Sequence, residues 1–288
     1  MSSSVLTTLH QRMPAMTPTE QRVAAHVVAS PAEIQALTIT DLAQAAGVST
    51  SSIARFCRTL GFEGYPDFRM SLAADLAREA QSRERFQISD GDVDPADGAA
   101  DVVSKIAYHE AATIEQTARD LDLVALDAVV DRVATARRID LYGTASSGLA
   151  GQDLHLKLHR IGLFSQAWTD QHLALTSASL LSPADVAIAF SHSGRTLEVV
   201  QALAVARGTG ATTVAITNVP DSPLAAGADI VLTTSANETK YRSGAMSSRI
   251  AQLAVVDFIF VRVSQRLYDR MATNLRLTFD AVRGHRID

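Results

Sequence analysis

Cysteine occurs once, at Cys57, so no disulfide can form within the chain and no cysteine cluster can hold a metal. Long apolar runs are also missing. The strongest, Leu253 to Val261, is interrupted by Asp257 and is far too short to cross a bilayer. The opening stretch "MSSSVLTTLHQRMPAMT" lacks a basic start followed by an apolar core, so no secretory signal is read and a cytoplasmic protein is expected. Nor is there an excess of basic charge. The net charge is -5, and residues 1–78 carry 6 Lys+Arg against 6 Asp+Glu, residues 79–100 carry 2 against 6, and residues 101–288 carry 18 against 19. Bulk charge therefore leaves no nucleic-acid footprint, and any DNA reading must rest on local geometry.

What is present is an ordinary globular composition, 47% apolar and 20% charged, over 288 residues, enough for one large or two modest domains. Apolar spacing predicts a helix over Thr19 to Ala29 with Pro18 and Pro31 outside its ends, then Ile39 to Ala46 and Thr50 to Leu60, with helix resuming near Asp67 after turns at Gly61, Gly64 and Pro66. The acidic stretch "RERFQISDGDVDPADG", Arg83 to Gly98, reads as a surface linker. Helical patterns follow over Ala99 to Asp120 and Val124 to Arg137. Then the period changes. "RIDLYG" (138–143), "DVAIAF" (185–190), "TTVAIT" (212–217) and "DIVLTT" (229–234) are branched runs separated by helical or turn-rich segments, the alternation of a parallel sheet covered by helices. Each ends in small polar residues, where open sheets bind ligands.

In the first third, "TITDLAQAAGVSTSSIARFCRTLGFEGYPDFR" (38–69) has the layout of a helix-turn-helix. Leu42, Ala43 and Ala46 give one helix an apolar face, Gly47 supplies the exit, Val48 plugs the angle, and Ser49 or Thr50 caps the next helix. In that second helix Ile53, Phe56, Cys57 and Leu60 face inward. Ser51, Ser52, Arg55 and Thr59 are left outward, with Arg58 near the edge, for contact with phosphates and base edges. A small bundle with solvated arginines would produce the same spacing.

Two loops in the remainder carry phosphate chemistry without lysine. Gly143, Thr144, Ser146, Ser147 and Gly148 lie between a strand and a helix, and Ser191, Ser193, Gly194 and Thr196 repeat the arrangement. Small residues let backbone N–H groups approach an anion, hydroxyls add donors, and a helix N-terminus favours negative charge. The plainer reading is that these hydroxyls merely cap helices. Neither loop matches a nucleotide-binding glycine pattern or a Walker loop, and the G-x-S-x-G elbow of a hydrolase is absent although Ser191 and Ser193 flank His192. His155 and His159 stand four apart without the H-E-x-x-H glutamate or a third ligand, so no metal and no cofactor is assigned. A third polar segment with Glu238, Lys240, Arg242, Ser243, Ser247 and Arg249 precedes a long helix, where Glu238 could bind sugar hydroxyls or act as a base. The apolar stripe of that helix, with Ile250, Leu253, Ala254, Val256 and Phe260, points to a subunit contact.

Taken in order, "GVSTSSIARFCRTLGFEGYPDF", "GTASSGLAGQDLHLKLHRIG", "SHSGRTLEVV", "SPLAAGADIVL" and "RSGAMSSRIAQLAVVD" resemble the RpiR-like transcriptional regulators, in which a helix-turn-helix is joined to a sugar isomerase (SIS) domain. The resemblance runs from about Pro18 to Asp269. It implies a multidomain chain: an all-helical helix-turn-helix domain over 1–79, an acidic linker over 80–98, and over 99–288 a three-layer α/β SIS domain with a central parallel sheet and a helical lead-in. It also implies a non-enzymatic regulator of sugar or amino-sugar metabolism, a homodimer or homotetramer on double-stranded operator DNA, whose effector is a phosphorylated sugar or sugar acid. Carried over, Ser49, Thr50, Ser51, Ser52, Arg55 and Arg58 would meet DNA, and Thr144, Ser146, Ser147, Ser191, His192, Ser193, Gly194, Thr196 and Glu238 the effector. Two positions depart from the family pattern: Ala145, where glycine or another small residue precedes Gly-Ser, and His192, where Tyr or an apolar residue is more usual. A phosphosugar isomerase with an accessory N-terminal domain is the alternative, and it would need Glu238 or a histidine as base.

Overall fold

A computed structural model of the chain describes residues 4–86, 88, 93–237 and 245–283. They group into two units, Met1–Asp120 with the return segment that begins at Ser235, and Leu121–Thr234 with the C-terminal helices.

The first unit is helical: α1 (Val5–Arg12), a 3-10 turn, α2 (Pro18–Ala29), α3 (Pro31–Ala36), α4 (Ile39–Ala46), α5 (Thr50–Thr59), α6 (Tyr65–Phe86) and α7 (Ala99–Asp120). Pro18 does not stand outside α2 but forms its first turn, where a missing N–H costs nothing. α6 starts at Tyr65, ahead of the expected restart near Asp67, and continues to Phe86, into the acidic stretch. α1 and α3 were not read from the sequence. The core closes on Leu9, Val23, Leu42, Ile53, Phe56, Phe68 and Leu72, all buried, with Phe56 and Phe62 meeting Phe68 edge-on at 6.0 and 5.5 Å. Each such aromatic removes enough apolar area from water to contribute about 1.5–3 kcal/mol. α1 is fastened to α6 by Asp75, whose Oδ2 accepts from the Ser4 hydroxyl (2.9 Å) and the Val5 N–H (2.6 Å).

The second unit runs α8 (Leu123–Thr135), β1 (Ile139–Gly143), α9 (Ala145–Arg160), β2 (Ser165–Trp168), α10 (Gln171–Ala178), β3 (Val186–Phe190), α11 (Leu197–Gly208), β4 (Thr212–Thr217), α12 (Pro223–Ala226), β5 (Ile230–Thr233), α13 (Met246–Arg266) and α14 (Tyr268–Val282). The sheet is parallel with order β2-β1-β3-β4-β5, one strand more than the four read from the sequence. One face, with Ile139, Leu141, Ile188 and Val214, packs against residues of α8, α9 and α13. The other, with Tyr142, Ala187, Ala189 and Ala215, packs against α10, α11 and α12. This is a three-layer α/β unit. On the second face Asp140 is fully buried and satisfied by Arg138 (2.8 and 2.9 Å), Ser177 Oγ (2.6 Å) and Tyr142 Oη (3.1 Å), so the buried carboxylate locks α10 onto β1.

The chain leaves β1 toward β2 on one side and returns across it to reach β3 on the other. The carboxyl ends of β1 and β3 therefore form the switch point of the sheet, where the loops diverge and leave a crevice. Among the described residues no helix is long and apolar enough to cross a membrane.

Candidate functional site

β1 runs straight into the head of α9. A side chain at Gly143 would stand 2.9 Å from the Ser147 carbonyl oxygen, and one at Gly148 would stand 2.9 Å from the Gly143 oxygen, so both glycines are required by backbone contact. Ala145 turns the chain into the helix at φ 47°, a left-handed conformation that costs an alanine roughly 1–2 kcal/mol. Thr144, Ser146 and Ser147 are half-buried around this turn. The Ser147 hydroxyl accepts from Gln252 Nε2 on α13 at 3.1 Å.

The second loop is built by a chain of hydrogen bonds along the rim of the sheet. Buried Ser191 accepts the Gly194 N–H on its Oγ (3.1 Å) and stands 3.0 Å from Thr196 Oγ1. The His192 carbonyl accepts from Thr217 Oγ1 (3.2 Å) and from the Asn218 N–H (3.0 Å), and Asn218 Oδ1 accepts from Thr234 Oγ1 (3.2 Å). Gly194 takes φ +62°, and a Cβ there would lie 2.0 Å from Ser222 Oγ. His192 and Ser193 are half-buried, and the Ser193 hydroxyl accepts from the Arg195 N–H (3.3 Å).

Capping separates the helices of this unit into two groups. α8, α10 and α12 have side-chain caps from Asp122, Asp170 and Ser222. α9, α11, α13 and α14 have none: Thr144 and Thr196 occupy the cap positions of α9 and α11 without making the cap bond. Their leading N–H groups keep the partial positive charge of an uncapped helix start. Thr144 and Thr196 therefore do not act as helix caps here. Thr217, Asn218, Ser222, Thr234 and Gln252, which hold the rim together, had not been singled out in the sequence. The small polar endings of the strands were the one signal for them. Glu238, Lys240, Arg242 and Ser243 lie outside the described residues.

In the first unit Gly47 ends α4 at φ 63°, Val48 packs against the core, and Ser49 caps α5 by accepting the Ser52 N–H at 3.2 Å. The Ser49 hydroxyl also lies 2.7 Å from that of Ser51 and 2.9 Å from that of Ser52, so it is spent on local structure. Ile53, Phe56 and Cys57 are buried; Thr50, Ser51, Arg55, Arg58 and Thr59 are exposed along the opposite face, with Ser52 half-buried. Burial pushes the Cys57 thiol up to about 12, which makes it a core residue and no nucleophile. Glu20 on α2 adjoins this face. Its carboxyl is held below the usual range first by the Thr17 hydroxyl, which burial opposes next, with lesser help from the Thr17 N–H, the Thr59 hydroxyl and the Arg55 charge.

His155 and His159 sit 5.8 Å apart on α9, with His155 Nδ1 3.0 Å from Ser165 Oγ. Among the described residues no group of three or more metal-ligating side chains gathers.

Residues 3–79 match the helix-turn-helix domain of the rpiR family, and residues 133–262 match the SIS domain. An HTH-type transcriptional regulator of Caldanaerobacter subterraneus subsp. tengcongensis is 36% identical over 286 residues, 99% of either chain. The chain belongs to the RpiR family. This RpiR-family protein is a DNA-binding transcriptional regulator: a helix-turn-helix region followed by an α/β SIS domain with a central parallel sheet. A second HTH-type regulator, from Haemophilus influenzae, is 32% identical over 286 residues and 99% of both chains. Among solved structures, the Vibrio vulnificus NanR protein complexed with ManNAc-6P aligns over 99% of the RpiR-family chain and all of its own, with TM-score 0.63 and 29% identity. The sugar isomerase domain of an RpiR transcription factor from Sphaerobacter thermophilus shares the fold over 62% of this chain, with TM-score 0.58 and 23% identity.

Proposed function

We propose that this regulator senses a phosphorylated sugar or sugar acid at the switch point of its SIS sheet, and that occupancy of that site changes the affinity of α5 for operator DNA. The observation that carries the reading is the pair of uncapped helix heads, α9 and α11, on the loops after β1 and β3. Each helix start favours an anion by about 0.3–1 kcal/mol, rising to about 2 where partly buried. Thr144, Ser146 and Ser147 from one loop, and Ser191, Ser193 and Thr196 from the other, add hydroxyl donors, while Gly194 lets the second loop close tightly. His192 reads the sugar end, and Glu238, outside the described residues, is a further effector contact expected from the sequence.

Residues 1–79 read DNA and 99–288 sense, joined by 80–98. On α5, Thr50, Ser51 and Ser52 meet phosphates, Arg55 reaches a base edge and Arg58 the backbone, with Ser49 fixing the helix start. The protein works as a homodimer or homotetramer. Support for contact with a second copy comes from Val261 on α13 and from Tyr268 and Leu277 on α14, which are large, apolar and exposed. NanR was solved with ManNAc-6P, so a phosphorylated N-acetylated amino sugar is the first effector to try.

The test is retention of fragments of the protein's own genome, repeated with a panel of sugar phosphates at fixed salt, because phosphate contacts make affinity salt-dependent. A discrete operator whose affinity shifts with one phosphosugar is the expected result. No specific fragment, or turnover of a phosphosugar, would defeat the reading.

A further inference from the structure

We propose that a cleft inside the helical unit, walled by α1, α6 and α7, is a second ligand site and takes a small dianion, held between Arg85 on α6 and Arg119 on α7. Every residue that lines it belongs to the first unit, so it shares none with the loops after β1 and β3.

The cleft has a volume of about 790 Å³, within the range of small-molecule sites. Its charge runs against that of the chain. Four arginines line it, Arg78, Arg83, Arg85 and Arg119, against the carboxylates of Asp75, Glu79 and Glu115, in a protein of net charge -5. Two of the arginines are matched. Arg78 pairs with Asp75, which also fastens α1, and Arg83 pairs with Glu79. Even so, Arg83 Nε is buried and meets no acceptor among the described residues. The other two arginines share one partner: Glu115 Oε1 stands 3.8 Å from Arg85 and Oε2 3.8 Å from Arg119, both too long for a hydrogen bond. One carboxylate thus sits between two guanidiniums and satisfies neither, leaving one positive charge in excess.

This arrangement sets the ligand. Glu115 is exposed and lies one turn before Arg119 on the same helix, so its side chain can turn to water when a better acceptor arrives. Arginine forks match carboxylate and phosphate oxygens two at a time. Two guanidiniums that meet at one point from different helices are balanced by an anion with two charges, a phosphate or a dicarboxylate. Arg85 is placed further by Phe86, whose ring centroid lies 5.7 Å from the guanidinium and which meets Tyr108 of α7 edge-on at 5.9 Å. α6 itself is continuous from Tyr65, with Phe68 and Leu72 in the core of the helical unit. A ligand that bridges α6 to α7 therefore braces that core.

The test uses full-length protein carrying Ser191→Ala and Ser193→Ala, which strips hydroxyls from the sheet loop, titrated calorimetrically at low salt with hydrogen phosphate, glycerol phosphate and succinate. At least one probe should bind one-to-one, and the ester and the dicarboxylate distinguish the two kinds of dianion. Arg85→Gln and Arg119→Gln should each weaken that probe by about tenfold or more, the loss of a charge-assisted bond. Glu115→Gln, which removes the competing carboxylate, should tighten it; the position is exposed, so this variant keeps the fold whatever the arginine variants do. Saturating probe should also slow labelling of Cys57, buried in the helical core, because binding to the closed unit lowers the population of the open one. No binding of any probe to this protein or to its Glu115→Gln form would overturn the proposal, as would an affinity indifferent to both arginine variants. Weaker binding in Glu115→Gln would overturn the exchange of Glu115 for the ligand, and with it the site. Unchanged Cys57 labelling at saturation would put the bound anion outside the helical unit and overturn the proposal as well.

Discussion

One methyl group at Gly194 would have to overcome two obstacles at once: a backbone at φ +62° and the Ser222 hydroxyl 2.0 Å from the new carbon. Ser222 is fully buried and caps α12, so it cannot swing away without uncapping that helix. Gly47 has almost the same φ, +63°, but open space around it. Gly47→Ala should therefore cost only the left-handed strain, about 1 kcal/mol, and Gly194→Ala about 3 kcal/mol with loss of phosphosugar binding. Urea unfolding of both variants checks the difference, and equal costs would contradict the steric argument. His155 offers a pH test at the same scale. Burial, and secondarily the charge of His159, hold its imidazole below 6.5, while the bond to Ser165 opposes them weakly. A folded pKa below the unfolded one means the unfolded chain binds more protons there. Stability is fully present above about 6.5 and falls as pH drops from there through the lower folded value. His155→Gln should flatten that part of the stability curve, and an unchanged slope would assign the loss to other groups.

Among the elements, α5 bears the proposed contact with DNA. Arg55→Ala should reduce discrimination between operator and scrambled duplex by about 1–3 kcal/mol if the guanidinium reads a base edge. Titration of both duplexes distinguishes this from a phosphate contact, which would weaken them equally. The pair α4 and α5 was legible in the sequence because its determinants are local: the apolar spacing of Leu42, Ala46, Ile53 and Phe56, and the Gly47 exit, all lie within fifteen residues. β2 was not. Ser165, Gln166, Ala167 and Trp168 form an edge strand paired on one side only, so the segment does not need the continuous apolar run that betrays β3 or β4. α1 escaped notice for a different reason, since the carboxylate that fastens its start comes from Asp75, seventy residues away. In the candidate site the two loops were readable as strand endings followed by hydroxyls. That Thr144 and Thr196 leave their caps unmade was not, because a used and an unused cap have the same sequence. Nor was the reach of Gln252 to Ser147 across 105 positions.

At the scale of the whole molecule, regulation is a coupling free energy between two sites. If an effector changes operator affinity by some factor, the operator must change effector affinity by the same factor. Calorimetric titration with and without operator tests this directly, and a one-way effect would show that the two affinities were not measured on one equilibrium. The first 78 residues carry no net charge, so operator affinity depends on a few placed groups, and its salt dependence should be shallower than that of a strongly basic DNA-binding domain. Assembly is tested on α13 and α14: Val261→Glu with Leu277→Glu should reduce the sedimenting mass to that of a smaller species and weaken binding to paired half-sites. An unchanged sedimentation coefficient would move the subunit contact elsewhere.

Cys57 is buried in the core of the helical unit, and Trp168, the chain's single tryptophan, lies at the end of β2 in the other. Each unit thus holds one probe that the other lacks. A small disulfide reagent can reach the thiol only when the helical unit opens, so its labelling rate is a clock for that opening alone. Indole emission, recorded on the same sample, follows only the sheet unit. Adding operator should slow the first signal and adding effector should alter the second, and any crossing between them would display the coupling in real time, without a fluorophore or a tag.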